Sequence, residues 1–147
     1  MTDLGIIDGK MLQRQLILFE GKRLKPYVCT SHKTTIGVGR NLDDVGISDS
    51  EAELLLENDI LRCCEDLDRV MPWWRTLSEP RQRVCVDVVF NLGISGWLQF
   101  KNCINALQEE DWDEAAAQLL DSKYARQVGQ RSARLAQAII DDELEIG

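Results

Sequence analysis

Helical periodicity runs through most of this chain and stops once, over residues 24–42. In the preceding stretch, residues 6–19, apolar side chains recur at helical spacing, and Gly21 is a plausible stop. Residues 24–42 contain Pro26 and two glycines among Tyr, Val, Thr and Ile, which is typical of a short β-hairpin or a three-stranded meander. The pattern therefore predicts an α+β fold, with a small β-sheet inserted after the first helix.

A long helix is predicted after this sheet. Ser48 and Glu51 form a capping-box pattern at its start, and Pro72 follows its end. A helix of roughly six turns is long enough to join two lobes of a single domain. We predict that residues 1–147 form a single domain. Its parts are a β lobe at about 20–47, the connecting helix at about 48–70, and a helical lobe at 71–147 plus 1–19.

The charge distribution excludes one class of partner and suggests another. The net charge is −8, which argues against a nucleic-acid-binding protein. Residues 1–42 hold seven Lys and Arg against three Asp and Glu, a net of +4, and residues 43–147 hold ten against twenty-two, a net of −12. A basic segment on an acidic body indicates either a local anionic or polar ligand or a solvated face of a small lobe.

Cysteine and histidine usage indicates no metal or cofactor. The chain has five cysteines, no CxxC pair and a single histidine, so we expect no structural zinc and reduced thiols in a cytoplasm.

No apolar run approaches ~20 residues, so we expect no membrane insertion. The N-terminal stretch lacks a basic region followed by an apolar one, so no signal peptide is predicted.

Three residues around the predicted sheet can carry chemistry. Glu20 ends the first helix, where the negative end of the helix dipole and apolar Phe19 favour the protonated form that a general acid needs. Cys29 and Thr35 flank five residues that can turn a hairpin, and a symmetric turn would bring their side chains onto one face. Each also has a purely structural interpretation. Glu20 could be a solvated acid at a helix end, Cys29 a small buried hydrophobe, and Thr35 a strand residue with high β propensity.

The segment "FEGKRLKPYVCTSHKTTIGVGRNL", residues 19–42, resembles the active-site segment of the phage-type lysozymes, or endolysins. The family pattern is Glu, eight residues, Asp or Cys, five residues, Thr, and Glu20, Cys29 and Thr35 satisfy it. The stretches "VVFNLG" with "SG", "WDEAA" and "QRSAR" match later parts of the family in order and spacing. The resemblance extends through most of the chain and implies a lysozyme-like fold.

The resemblance implies a muramidase that hydrolyses the β-1,4 bond between N-acetylmuramic acid and N-acetylglucosamine. It makes Glu20 the general acid, puts Cys29 where many members have an Asp that activates the attacking water, and has Thr35 hold that water. Arg131 matches an arginine expected to contact the catalytic Glu. Positions in the cleft of the large lobe align with Phe90, Cys103 and Gln118.

The resemblance also implies the partners. We expect a monomer that acts on peptidoglycan glycan strands without a cofactor, at the end of phage infection. It would accumulate in the host cytoplasm and depend on a holin for export to the wall in the periplasm. Whether it acts as a free endolysin or as part of a virion stays open.

Three alternatives to this hydrolase remain. A lytic transglycosylase needs only one acid, and Glu20 is the one acid that the pattern supplies. A lysozyme-like protein that binds glycan without cutting it would need neither Glu20 nor Thr35. A generic cytoplasmic helical protein fits the charge balance but not the collinear motifs.

Overall fold

The computed structural model describes residues 3–147 and divides into two units, one up to Glu53 and one from Leu54 to Gly147. Met1 and Thr2, the start of the segment for which no signal peptide is predicted, lie outside the described residues. The predicted α+β fold is confirmed, because a small antiparallel sheet accompanies a set of helices. The elements in chain order are α1 (Gly9–Glu20), β1 (Arg23–Val28), β2 (Thr34–Gly37), β3 (Arg40–Asn41), α2 (Asp49–Val70), a 3₁₀ helix (Pro72–Thr76), α3 (Glu79–Trp97), α4 (Lys101–Gln108), α5 (Trp112–Leu120), α6 (Lys123–Val128) and α7 (Gln130–Asp141).

Helix α1 has defined ends at both termini. Its N-cap is Asp8, whose side chain accepts a hydrogen bond from the Met11 N–H at 3.1 Å. At the other end the Gly21 N–H donates to the Ile17 carbonyl at 2.9 Å, and the chain leaves the helix. These two caps fix Glu20 as the last helical residue.

The sheet of the first unit is a three-stranded meander, one of the two predicted arrangements, in the order β1-β2-β3 with antiparallel pairing. Its central strand is β2, where Thr35 lies opposite Tyr27 of β1 and Asn41 of β3. Thr35 is 3% exposed and is the one buried residue among those described in the first unit. A threonine therefore occupies the most enclosed position of this small sheet.

Helix α2 confirms the long helix predicted for residues 48–70. Its first turn carries the expected capping box: the Glu51 N–H donates to Ser48 Oγ at 3.2 Å, and the Ser48 N–H donates to Glu51 Oε1 at 2.8 Å. Pro72 ends the helical run and opens the 3₁₀ helix. No helix within residues 3–147 combines the length and apolar character needed to cross a bilayer.

The second unit has a continuous apolar core. Val84, Val88 and Val89 of α3 are at most 2% exposed. Helix α7 packs against α3, α5 and α6 within this unit. At Gly93 the backbone of α3 leaves helical geometry (φ 78°, ψ 165°), so the helix breaks there and one more short helical stretch follows. The core of this unit includes two buried tryptophans, Trp74 and Trp97.

One arginine is buried in the second unit. Arg81 is 8% exposed, and its Nε donates to the Ile139 carbonyl at 2.8 Å. Its guanidinium carbon lies 3.7 Å from the centroid of the Trp112 ring, which is a cation–π distance. Asp142 lies 3.6 Å from the same guanidinium. The arginine therefore links α3 to the C-terminal end of α7 and to α5.

We predict that Arg81→Ala lowers the free energy of unfolding by about 2–4 kcal/mol, because it leaves a buried carbonyl without a donor and removes a desolvated cation–π contact. Urea unfolding followed by circular dichroism measures this loss. Arg69→Ala is the control, because Arg69 is 62% exposed in its pair with Asp66 and exposed pairs contribute at most about 1 kcal/mol. Equal losses in the two variants would contradict the structural role of Arg81.

Candidate active site

Glu20 extends from the end of α1 over a turn of the sheet. This turn, Gly37–Gly39, connects β2 to β3 and is called the glycine turn below. A Cβ atom at Gly39 would lie 3.3 Å from Oε2 of Glu20, and the other atoms within 4 Å of that position also belong to Glu20. The Glu20 side chain is exposed. An acid that reaches solvent thus lies beside backbone that carries no side chain, where a ligand can approach it.

The hairpin between β1 and β2 places Cys29 beside Thr35 in a way that differs from the symmetric arrangement considered above. The Cys29 N–H donates to the Lys33 carbonyl and the His32 N–H donates to the Cys29 carbonyl, both at 2.9 Å. His32 takes a left-handed conformation (φ 60°), as the third residue of a three-residue hairpin loop does. Thr35 consequently faces Tyr27, and Cys29 lies one diagonal step away on the same face.

The hairpin loop favours the anionic form of Cys29. Hydrogen bonds lower the pKa of the Cys29 thiol below its ordinary value, first from the Lys33 backbone, then from the Ser31 backbone, and then from the Thr35 side chain. Backbone N–H groups stabilise a thiolate because they donate to its negative charge. The loop therefore gives this half-buried thiol more anionic character than a free cysteine has.

The Thr35 hydroxyl is oriented by its own hydrogen bond. Its Oγ1 donates to the Lys33 carbonyl at 2.9 Å, which commits its only proton. The oxygen is then free to accept from a thiol or a water. When Cys29 ionises, the same hydroxyl can rotate and donate to the sulfur, which agrees with its effect on the Cys29 pKa.

Arg40, the residue after the glycine turn, forms a two-pronged ion pair with Glu51. Its Nη1 and Nη2 donate to Oε1 and Oε2 of Glu51 at 2.9 and 2.8 Å, and Nη1 also donates to the Gly46 carbonyl at 3.0 Å. The hydrogen bond from Arg40, followed by those from Ser48, lowers the pKa of Glu51 from its usual 4.5 to about 2. The sequence contains both residues, but it gives no sign that they pair.

This pKa shift predicts a pH-dependent stability. Because the pKa of Glu51 is lower in the folded protein, its stabilising contribution is present above about pH 4.5 and is lost as pH falls towards 2. Glu51→Gln keeps a capping-box side chain but removes the charge, so we expect a lower melting temperature at pH 7. The effect is modest, since the side chains of the pair remain 38% and 42% exposed. Thermal scans from pH 7 to 2 test this, and a difference that persists at pH 2 would contradict it.

The structure separates the predicted binding residues of the second unit into two pockets. Cys103 and Gln118 line a pocket of about 650 Å³ together with Tyr124, whose buried hydroxyl has no hydrogen-bond partner among the described residues. Phe90 and Arg131 line a second, more apolar pocket of about 590 Å³. Tyr124 was not among the residues predicted from the sequence, because it lies in a short helix, α6, that the sequence pattern does not predict.

Two of these residues have clear electrostatic states. Burial raises the pKa of the Cys103 thiol to about 12, so this residue is a neutral, apolar part of its pocket wall. Arg131 donates from Nε to Oδ1 of Asp87 at 2.8 Å, and its Nη2 lies at the same distance from that oxygen. The predicted contact of Arg131 with Glu20 stays a prediction.

Within residues 3–147 no group of three or more His, Cys, Asp or Glu side chains is arranged to hold a metal ion.

Comparison with known proteins gives consistent similarities. The family model described as "Phage lysozyme" matches residues 18–137. The chain is 28% identical to "Probable T4-type lysozyme 2" of Dictyostelium discoideum, with 79% of this chain and 85% of the relative covered. It is 26% identical to "Probable T4-type lysozyme 1" of the same organism, with 82% and 88% covered.

One further relative is a much longer protein. The chain is 26% identical to the pre-baseplate central spike protein of Enterobacteria phage T4, and the match covers 93% of this chain. The chain spans 28% of the length of that spike protein. The matched region is therefore one part of a larger chain in that relative.

Proposed function

The chain belongs to the phage lysozyme family, and from this premise we propose that it is a muramidase. It hydrolyses the β-1,4 bond between N-acetylmuramic acid and N-acetylglucosamine in bacterial peptidoglycan. The observation that carries the proposal is the first unit's own geometry: an acid, Glu20, lies against the glycine turn, and Cys29 and Thr35 share a face at the other end of β2.

In this mechanism Glu20 is the general acid. It donates its proton to the glycosidic oxygen as the bond to the sugar breaks, which prevents an alkoxide from leaving. The exposed carboxyl is accessible to a glycan, and Gly39 has no side chain to stand between the two.

Cys29 and Thr35 hold and activate the attacking water. The thiolate of Cys29 accepts the proton of the water, and the Thr35 oxygen orients it. Inversion requires the acid and the base to be on the order of 6.5–9.5 Å apart, so that a water fits between base and sugar.

The second unit contributes substrate contacts in this proposal. Gln118 offers an amide to sugar or peptide groups, and Cys103 shapes the wall of the same pocket. The unpartnered Tyr124 hydroxyl is a further polar group for a ligand there, since a buried hydroxyl without a partner is costly. Phe90 supplies an apolar surface and Arg131 a cation in the second pocket.

We further propose a role in host lysis at the end of phage infection, as a monomer that a holin releases from the cytoplasm to the wall. Expression with and without a holin, followed by cell fractionation and turbidity, tests this role. Lysis that does not depend on the holin would contradict it.

A lytic transglycosylase is the second candidate, because Glu20 is the one carboxylate that the site provides and Cys29 stands where a second acid is common in the family. Mass spectrometry of digested peptidoglycan separates the two reactions. Hydrolysis leaves reducing muramic ends, and transglycosylation leaves anhydro-muramic ends. The absence of any new ends with the unmutated protein would favour a protein that binds glycan without cutting it.

A further inference from the structure

We propose that Arg40 is a positioning residue for Glu20, which it serves by fixing the glycine turn on which the Glu20 carboxylate lies. This inference rests on the proposed function, in which Glu20 is the acid. It adds a residue that makes no contact with the reacting atoms. Three observations within the first unit support this role.

The first observation is that the Glu20 carboxylate lies close to the turn. The space where a Cβ of Gly39 would lie has Glu20 Oε2 at 3.3 Å, Cδ at 3.8 Å and Cγ at 4.0 Å. Gly39 has a φ of 71°, a backbone conformation that residues other than glycine rarely adopt. A displacement of this piece of backbone would therefore change the immediate surroundings of the carboxylate.

The second observation is that the strand after the turn is short. Strand β3 has two residues, Arg40 and Asn41, so few ladder hydrogen bonds hold it to β2. On its own such a strand frays, because an isolated short pairing is marginal in water. The glycine turn needs another anchor if it is to hold an acid to within a fraction of an ångström.

The third observation is that the side chain of Arg40 anchors this strand. Its guanidinium is fixed by three hydrogen bonds, two to Glu51 and one to the Gly46 carbonyl. Glu51 is itself held in the capping box of α2, where its Oε1 accepts the Ser48 N–H. The first turn of α2 thus holds Glu51, Glu51 holds Arg40, and Arg40 holds the residue next to Gly39.

The geometry of the pair requires arginine. A planar guanidinium donates to both oxygens of a carboxylate at once, whereas a lysine ammonium is a point charge that cannot span them. We therefore expect Arg40→Lys to be an incomplete replacement and Arg40→Met, which keeps the length of the side chain without its donors, to lose the anchor.

The experiment compares Arg40→Met, Arg40→Lys and Glu51→Gln with the control Arg69→Met, which removes an exposed arginine–aspartate pair elsewhere on α2. Initial rates are measured on solubilised peptidoglycan strands, well below each melting temperature. We expect Arg40→Met to lower kcat about tenfold with little change in KM, since small displacements of a catalytic group have effects of this size or larger. Glu51→Gln follows it, Arg40→Lys is intermediate, and Arg69→Met is unchanged. A normal kcat for Arg40→Met would overturn the proposal.

A spectroscopic measurement separates positioning from loss of folded protein. Glu20→Gln is expected to move the Gly39 amide resonance in nitrogen–proton spectra, because the carboxylate lies close to Gly39. In the Arg40→Met background that movement should fall to about half or less. An equal movement in both backgrounds overturns the proposal, whatever the rates are. If the unmutated protein releases no sugar ends, the proposed function fails, and this measurement still decides whether Arg40 holds the contact.

Discussion

Glu20→Gln is expected to lower the rate of glycan cleavage by about 10²- to 10⁴-fold, the usual contribution of a general acid. Glutamine has nearly the same shape as glutamate but carries no proton that it can give to the glycosidic oxygen. The change should not disturb the fold, because the Glu20 side chain is exposed. Turbidity loss of permeabilised cells and release of reducing ends both measure the effect.

The matched control for this experiment is Glu57→Gln, which removes one carboxylate from an exposed position on α2. It changes the net charge by the same amount, so any electrostatic effect on binding to the anionic wall is shared by the two variants. Retained activity in Glu20→Gln would remove the only acid proposed for the reaction. Loss of activity in both variants would attribute the effect to charge and not to proton donation.

Local features of the fold follow from the sequence because their causes are local. The capping box of Ser48 and Glu51 starts α2 one residue from its predicted start, and the meander lies where the glycines and β-branched residues indicate. The resemblance of residues 19–42 to phage-type lysozymes is confirmed by the family match over residues 18–137. The roles of the individual site residues remain predictions.

Other features depend on contacts that are distant in the sequence and leave no local pattern. Arg131 pairs with Asp87, 44 positions away, and Arg40 pairs with Glu51 across a loop. Neither arginine is marked by its neighbours, since a charged residue on a helix or strand is compatible with simple solvation. In the same way, Glu20 lies close to Gly39, which follows it only after the whole of β1 and β2.

The turn at Cys29 illustrates how one residue changes a predicted arrangement. The sequence allows five residues to turn symmetrically between Cys29 and Thr35, but His32 adopts a left-handed conformation and closes a shorter loop. The side chains of Cys29 and Thr35 meet diagonally as a result. The chemistry survives this change because diagonal neighbours on one face remain within reach of each other.

Cys29→Ala is expected to lower kcat by about 10²-fold, because it removes the group proposed to take the proton from water. Cys29→Ser is the matched variant, since serine keeps a hydrogen-bonding side chain of similar size but does not ionise in this pH range. Both should therefore lose activity to a similar extent. Thr30→Ala, in the exposed loop next to Cys29, controls for general disturbance of the hairpin and should keep its activity.

Cys29→Asp carries the sharper prediction, because it changes the pH at which the base becomes available. The hydrogen bonds of the loop lower the pKa of Cys29, yet a thiol starts from 9.0, whereas an aspartate ionises near 3.9. In the unmutated protein activity should rise with pH as the thiolate forms, and in Cys29→Asp this rise should move to lower pH with kcat retained. If Cys29→Ala and Cys29→Ser match the unmutated protein at every pH, Cys29 is a packing residue, and Thr35 alone would have to hold the water.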